Sequence, residues 1–317
     1  MKISKEKSKE KANTSNSFEH FTQKAGDTVG EFMDKSKELA ANTQKTFVGS
    51  IDRNGNGEVD IEDIIVLGLQ IPGVRINRSD FLQKELFKNH PQNVIDDAIL
   101  NSPVHAKISP EEIDKIADEV IKFERNCVSG ISVALGVPGN FAMAATIPAD
   151  IAQYYGYIMR ATQKLLYLYG FPQIDFDAKD HIFDSETMNI LIICFGVMYG
   201  ALGANNALKS MANALASGVE KKLLNTSLTK GVLFPIVKNI AKWFNVNMTK
   251  ALFAGAFKSA IPVLGGVVGG TITFFSFKPC CDKLKLSLQD TLLSNPNHKV
   301  SDSEEKIFLD IQDPVVM

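Results

Sequence analysis

The sequence predicts an all-α protein. Segments with apolar residues at helical spacing dominate, alternating Val/Ile/Thr runs between tight turns hardly occur, and helix-start signatures recur along the chain. At 317 residues the chain can form one large domain or two modest ones, and its 45% hydrophobic and 22% charged content is ordinary for a globular protein. A net charge of −2 leaves no overall basic footprint for nucleic acid.

Residues 1–16 are lysine, glutamate and serine with almost nothing to bury, and read as a disordered N-terminus. They lack the apolar core of a secretion signal, so a cytoplasmic protein is expected. From Ser17, Phe18, Phe21, Ala25, Val29, Phe32, Leu39 and Phe47 recur at helical spacing; this helix either packs on the body or binds a partner. The loop 52–63 follows, then an apolar helix through Ile64, Ile65, Val66 and Leu67, broken at Pro72-Gly73. Asn77 or Ser79 can cap a helix covering Phe81, Leu82, Leu86 and Phe87, and NHPQN at 89–93 reads as a linker. Ser109 can cap the next helix, with Pro110 at its first position and Glu112 completing a capping box. The expected organisation is a helix and calcium-loop region over 17–90, a helical domain over 95–292, and a flexible tail over 293–317 carrying SDSEEK.

The segment DRNGNGEVDIED places oxygen donors at the spacing calcium requires. A hard divalent cation takes six to eight oxygens, and a twelve-residue loop offers them from positions one, three, five, seven, nine and twelve. Here these are Asp52, Asn54, Asn56, the Glu58 carbonyl, Asp60 (through water) and Asp63, with Gly57 at the sharp turn. The pattern resembles EF-hands, and among them loops of the dockerin type. Aspartate at the last position and asparagines at 54 and 56 lower the carboxylate count. Weak binding of Ca²⁺, with a dissociation constant of about 10⁻⁵ to 10⁻³ M and competition from Mg²⁺, is therefore expected. Val74–Asp80 resembles the closing half of a second, empty loop in which Ile76 would pair with Val59.

Three uncharged, glycine-rich stretches follow: Cys127–Ala149, Thr187–Leu208 and Ser259–Phe277. Each has about the 20 residues of a spanning helix, and small residues four apart let helices approach closely. Pro138, Pro148, Asn205, Asn206 and Pro262 interrupt them, and a buried glycine-rich helical hairpin in a soluble domain has the same pattern. Burial in a core, or peripheral association with a membrane, is favoured over insertion.

Gly136–Pro172, GVPGNFAMAATIPADIAQYYGYIMRATQKLLYLYGFP, resembles the EcsC family, a bacterial group. The resemblance rests on the Gly-Val-Pro-Gly turn, Ile147–Asp150, the Arg160/Gln163/Lys164 cluster and Tyr167–Gly170, and extends to Ile261–Gly270 and Lys278–Leu288. It covers about two-thirds of the chain and implies no biochemical activity. A helix over about 141–169 aligns Thr146, Asp150, Gln153, Tyr157, Arg160 and Lys164 along a polar stripe. Asp150, Gln153, Arg160 and Lys164 form either a site for a lipid headgroup or other anion, or a structural ion-pair network; the network is favoured.

No GxSxG, P-loop, GxGxxG fingerprint or Cys–His pairing is legible. The cysteines at 127, 194, 280 and 281 lack zinc spacing, and the five histidines are scattered. The leading expectation is a non-enzymatic helical protein, peripheral at the inner face of the cell membrane or on a membrane complex, with a calcium loop regulating its N-terminal region. The alternatives are an enzyme centred on Asp150 and Arg160, and a soluble scaffold whose N-terminal helix binds a protein partner.

Overall fold

The computed structural model describes residues 60–69, 71, 73–136, 143–174, 185–219, 233–253 and 267–312, with side chains at 60–69, 71, 73–130, 153–174, 187–219, 233–245 and 276–311. All regular structure among them is helical. In chain order the helices are α1 Ile61–Leu69, α2 Arg78–Leu86, α3 Gln92–Leu100, α4 Pro110–Gly136, α5 Met143–Leu168, α6 Ser185–Tyr199, α7 Ala204–Ala216, α8 Leu233–Phe253, α9 Val267–Gln289 and α10 Asp302–Gln312.

The helix ends follow local chemistry. Asn77 accepts the Asp80 N–H at 2.9 Å and starts α2. Ser109 accepts the Glu112 N–H at 3.2 Å and starts α4, with Pro110 at its first position. Gly170 ends α5 with φ +93°, and the Phe171 N–H returns to the Leu166 carbonyl at 2.9 Å. That left-handed turn suits glycine because a side chain there would be strained.

The long helices α4, α5 and α9 pack against one another, and α6 is buried nearly all round against α7, α8 and α9. The stretch Thr187–Leu208 is thus two helices joined by a turn at 200–203, both sunk in the core. The glycine-rich hairpin as a whole lies outside the described residues. One apolar cluster runs from Ile61 to Ile311. The 17–90 region, as far as it is described, therefore shares a core with the 95–292 region instead of forming its own. Helix α1 achieves this by close approach: a Cβ on Gly68 would run into the Met159 side chain and fall 3.3 Å from the Gly156 nitrogen on α5.

The C-terminal region differs from a flexible tail. Helix α10 packs on α7 and buries Ile307 and Ile311. Its acidic first turn, Asp302, Glu304 and Glu305, suits the helix N-terminus, so the polar composition marks a helix start. A polar chain, buried at Lys209, His298 and Glu304 but exposed at Asp290, ties it down. Lys209 of α7 pairs with Asp290, Asp290 Oδ1 lies 2.7 Å from His298 Nδ1, and His298 Nε2 lies 2.8 Å from Glu304 Oε2.

Burial alone would lower the His298 pKa, but the hydrogen bonds and charges of Glu304 and Asp290 outweigh it and hold the imidazole above its usual value of 6.5. The stability this contributes is complete below the unfolded pKa and lost as pH rises through the folded one. Asp290, lowered first by its hydrogen bond from Lys209, sets the opposite limit at acid pH. Hydrogen-exchange protection of residues 302–312, corrected for intrinsic rates, is expected to fall as pH rises above 6.5. In His298→Ala it should already be low and nearly pH-independent. Unchanged protection in that variant would show that apolar packing alone holds α10.

Candidate functional site: a buried charge cluster and the start of α1

The polar stripe of α5 meets an internal anion. Glu124, on the packed face of α4, has a side chain with 0% exposure. Arg160 Nε reaches its Oε2 at 2.9 Å, and Lys164 Nζ reaches its Oε1 at 2.5 Å. Burial would push the Glu124 carboxyl up, but Lys164 and Arg160 more than offset this and hold it below the ordinary carboxylate range. For Arg160, burial acts downward and Glu124 acts upward more strongly, so its guanidinium stays charged.

Two cations face one carboxylate, and the excess positive charge is spread over further partners. Arg160 also donates to the Gly73 carbonyl and lies 5.6 Å above the Tyr157 ring. Lys164 Nζ lies 5.6 Å from the centroids of both Phe81 and Phe123. Gln163, between the two cations, donates to the Val74 carbonyl and accepts the Ile76 N–H, each at 2.9 Å. The 73–77 loop is therefore sewn to α5. Ile76 is held there, and its pairing with Val59 lies outside the described residues.

Of the four expected site residues, Arg160 and Lys164 come together on Glu124, and Gln153 is buried on the same helix. The Asp150 side chain lies outside the described residues. Ten residues of helix span about 15 Å, so Asp150 and Arg160 are too far apart along α5 for a direct pair. The anion that Arg160 and Lys164 receive here is supplied by the chain itself, as Glu124. Nearby groups are held in fixed protonation states. Cys127 is raised to about 11, first by burial and then by Glu124, and Tyr157 is raised to about 12, first by burial. General acid–base chemistry favours a group that titrates near the working pH, and these two do not.

Glu124 itself was legible as an anomaly. Ile113, Ala117, Val120, Glu124 and Val128 form one buried stripe on α4, and a charge on such a stripe demands an opposite charge.

Of the calcium-loop residues, Asp52, Asn54, Asn56 and Glu58 lie outside the described residues, while Asp60 and Asp63 form the start of α1. Asp60 Oδ1 accepts the N–H groups of Glu62 and Asp63 at 2.9 and 3.1 Å, and Asp63 Oδ2 accepts the Asp60 N–H at 3.0 Å. This reciprocal capping box fixes both carboxylates at the helix N-terminus. Glu62 is pushed up, first by burial and then by Asp60 and Asp63. Asp60 and Asp63 offer two carboxylates at this point, each accepting backbone N–H groups of the first turn. Among the described residues alone there is no cluster of three metal-ligating side chains.

A small cleft of about 140 Å³ lies between Asp114, Tyr169, Gln289 and Ser294. Its Tyr169 hydroxyl is committed to Asp114 Oδ1 at 2.6 Å. No family model matches the chain, and neither a curated protein nor a solved structure matches it.

Proposed function

We propose that this chain is a non-enzymatic, EcsC-type helical protein that associates peripherally with a membrane or a membrane complex. In this reading calcium at 52–63 sets the position of its first described helix. The observation that carries it is how α1 begins. The carboxylates that would close the loop form its capping box, and the helix they start is buried at once through Ile61, Ile64 and Ile65. The Ile61 N–H, at 3.2 Å from Asn245 Oδ1, ties the same point to α8. A cation on the loop would thereby be linked to helix packing throughout the body. No helix among the described residues is long and apolar enough to cross a membrane, which favours a surface association.

Calcium is expected to raise the melting temperature by on the order of 5 °C. A ligand at a hundred times its dissociation constant stabilises by about 2.7 kcal/mol, and about 1 kcal/mol shifts a chain of this size by roughly 2 °C or more. Calorimetric titration should show saturable heat in the wild type and none in Asp52→Ala. No heat in the wild type, or equal heat in the variant, would remove calcium from the reading.

A further inference from the structure

We propose that the exposed face of α8, carrying Phe234, Lys238, Lys242 and Trp243, lies flat on an anionic phospholipid bilayer. The proposal deepens the membrane reading above and rests on it.

The first observation is a charge asymmetry hidden by the near-neutral total. Residues 221–281 contain eight lysines and no aspartate, glutamate, arginine or histidine. The acidic excess of the chain lies outside this region, and the nearest carboxylates in sequence, Glu220 and Asp282, stand at its two ends, Asp282 paired with Lys278. Neither Lys238 nor Lys242 has an ion pair among the described residues.

The second observation is how α8 is turned. Leu233, Val237, Ile240 and Phe244 bury one face in the core. The opposite face shows Phe234, Pro235, Lys238, Asn239, Lys242 and Trp243 to solvent. Phe234 is 46% exposed and Trp243 38%, so two large aromatic rings lie in the same plane as the two lysines. Aromatic rings with a wet edge and lysines with apolar stems are the residues that settle at headgroup level.

The third observation extends the plane. The turn 200–203 stands beside α8, where a Cβ on Gly203 would meet Ile236 at 3.4 Å. At its tip Leu202 is 96% exposed, and Lys283 lies beside Gly200. An apolar tip, two aromatic rings and uncompensated lysines on one edge match a bilayer with negative headgroups. A protein surface would need matching pockets for each of these groups, whereas a bilayer accepts them without such pockets.

Trp243 is the chain's single tryptophan, so its fluorescence reports this face alone. The full chain is floated with vesicles of 30:70 phosphatidylserine and phosphatidylcholine, and with phosphatidylcholine alone. A parallel set with brominated phosphatidylcholine reads quenching of Trp243. The wild type is expected to float with the anionic vesicles, to lose this in 0.5 M salt, and to show Trp243 quenched. The double variant Lys238→Glu/Lys242→Glu should bind at least tenfold more weakly, since each lysine contributes about a fivefold gain at an anionic surface. Lys115→Glu/Lys122→Glu, at exposed positions on α4, should bind as the wild type does. If the wild type floats but Trp243 is unquenched and the α8 variant floats equally, this face is wrong while the membrane reading stands. If the wild type stays at the bottom with every vesicle, both fall.

Discussion

Glu124→Ala is expected to destabilise the protein by about 3–5 kcal/mol, read as a lower urea midpoint at unchanged slope. The cost comes from what remains. Arg160 and Lys164, with side chains only 18% and 10% exposed, would keep their charges without a counter-ion. The Gly73 carbonyl and the Tyr157, Phe81 and Phe123 rings soften that charge without neutralising it. Removing the whole set is a different experiment. In the triple variant Glu124→Leu/Arg160→Met/Lys164→Met no charge is left to desolvate, and most of the lost stability should return. Gln163 would still hold the 73–77 loop to α5 through Val74 and Ile76. A Glu124→Ala variant within 1 kcal/mol of the wild type would mean that water reaches the cluster.

The same carboxylate predicts an acid limit. A group whose folded pKa is depressed contributes stability that is present above its unfolded value, here 4.5, and lost as pH falls through the folded value. Glu124→Gln keeps the shape and drops the charge. The gap between wild type and this variant should stay constant from neutrality down to about pH 4.5 and close below it. A gap that closed at higher pH would assign the effect to other carboxylates.

What was legible in the sequence divides along physical lines. Helix starts at Asn77, one of the two caps weighed with Ser79, and at Ser109 are decided within a few residues, and these signals matched the structure. The all-helical class followed from the same periodicities. The partner of Arg160 was not local: it sits on α4, and only the packing of α4 on α5 brings Glu124 to it. The visible clue was the charge on the apolar stripe of α4, which composition averages away. The tail misled for a related reason. Ser301 and Glu304 are spaced as a helix start, and the Glu304 N–H approaches Ser301 Oγ at 3.4 Å. Their polarity reads as looseness until Ile307 and Ile311 are given a surface to cover on α7.

Arg78→Ala is expected to cost about as much as losing Glu124, on the order of 3–5 kcal/mol, for the reverse reason. Arg78 is 7% exposed, and its guanidinium donates to backbone carbonyl groups. Its Nε donates to Phe171 at 3.0 Å, and its terminal nitrogens to Ile99, to Ala98 at 3.2 Å and to Asn101 at 3.0 Å. Three of these carbonyls belong to the end of α3, where a helix leaves its last acceptors without internal partners and carries partial negative charge. One guanidinium thus closes α3, joins it to the segment after α5 and begins α2. Alanine would leave buried acceptors with no donor, at about 1–3 kcal/mol for each that water cannot reach. Ala98 and Phe171 lie in the core, whereas Asn101 is exposed and can turn to solvent. Lysine keeps the charge but offers one nitrogen in place of a planar fork, so Arg78→Lys should recover less than half of the loss. Methionine separates packing from hydrogen bonding, since it fills the space of the stem and donates nothing. If Arg78→Met unfolds at the wild-type urea concentration, water already serves those carbonyls and the fork is dispensable. If it falls with Arg78→Ala, the hydrogen bonds to the end of α3 are what hold that corner of the fold closed.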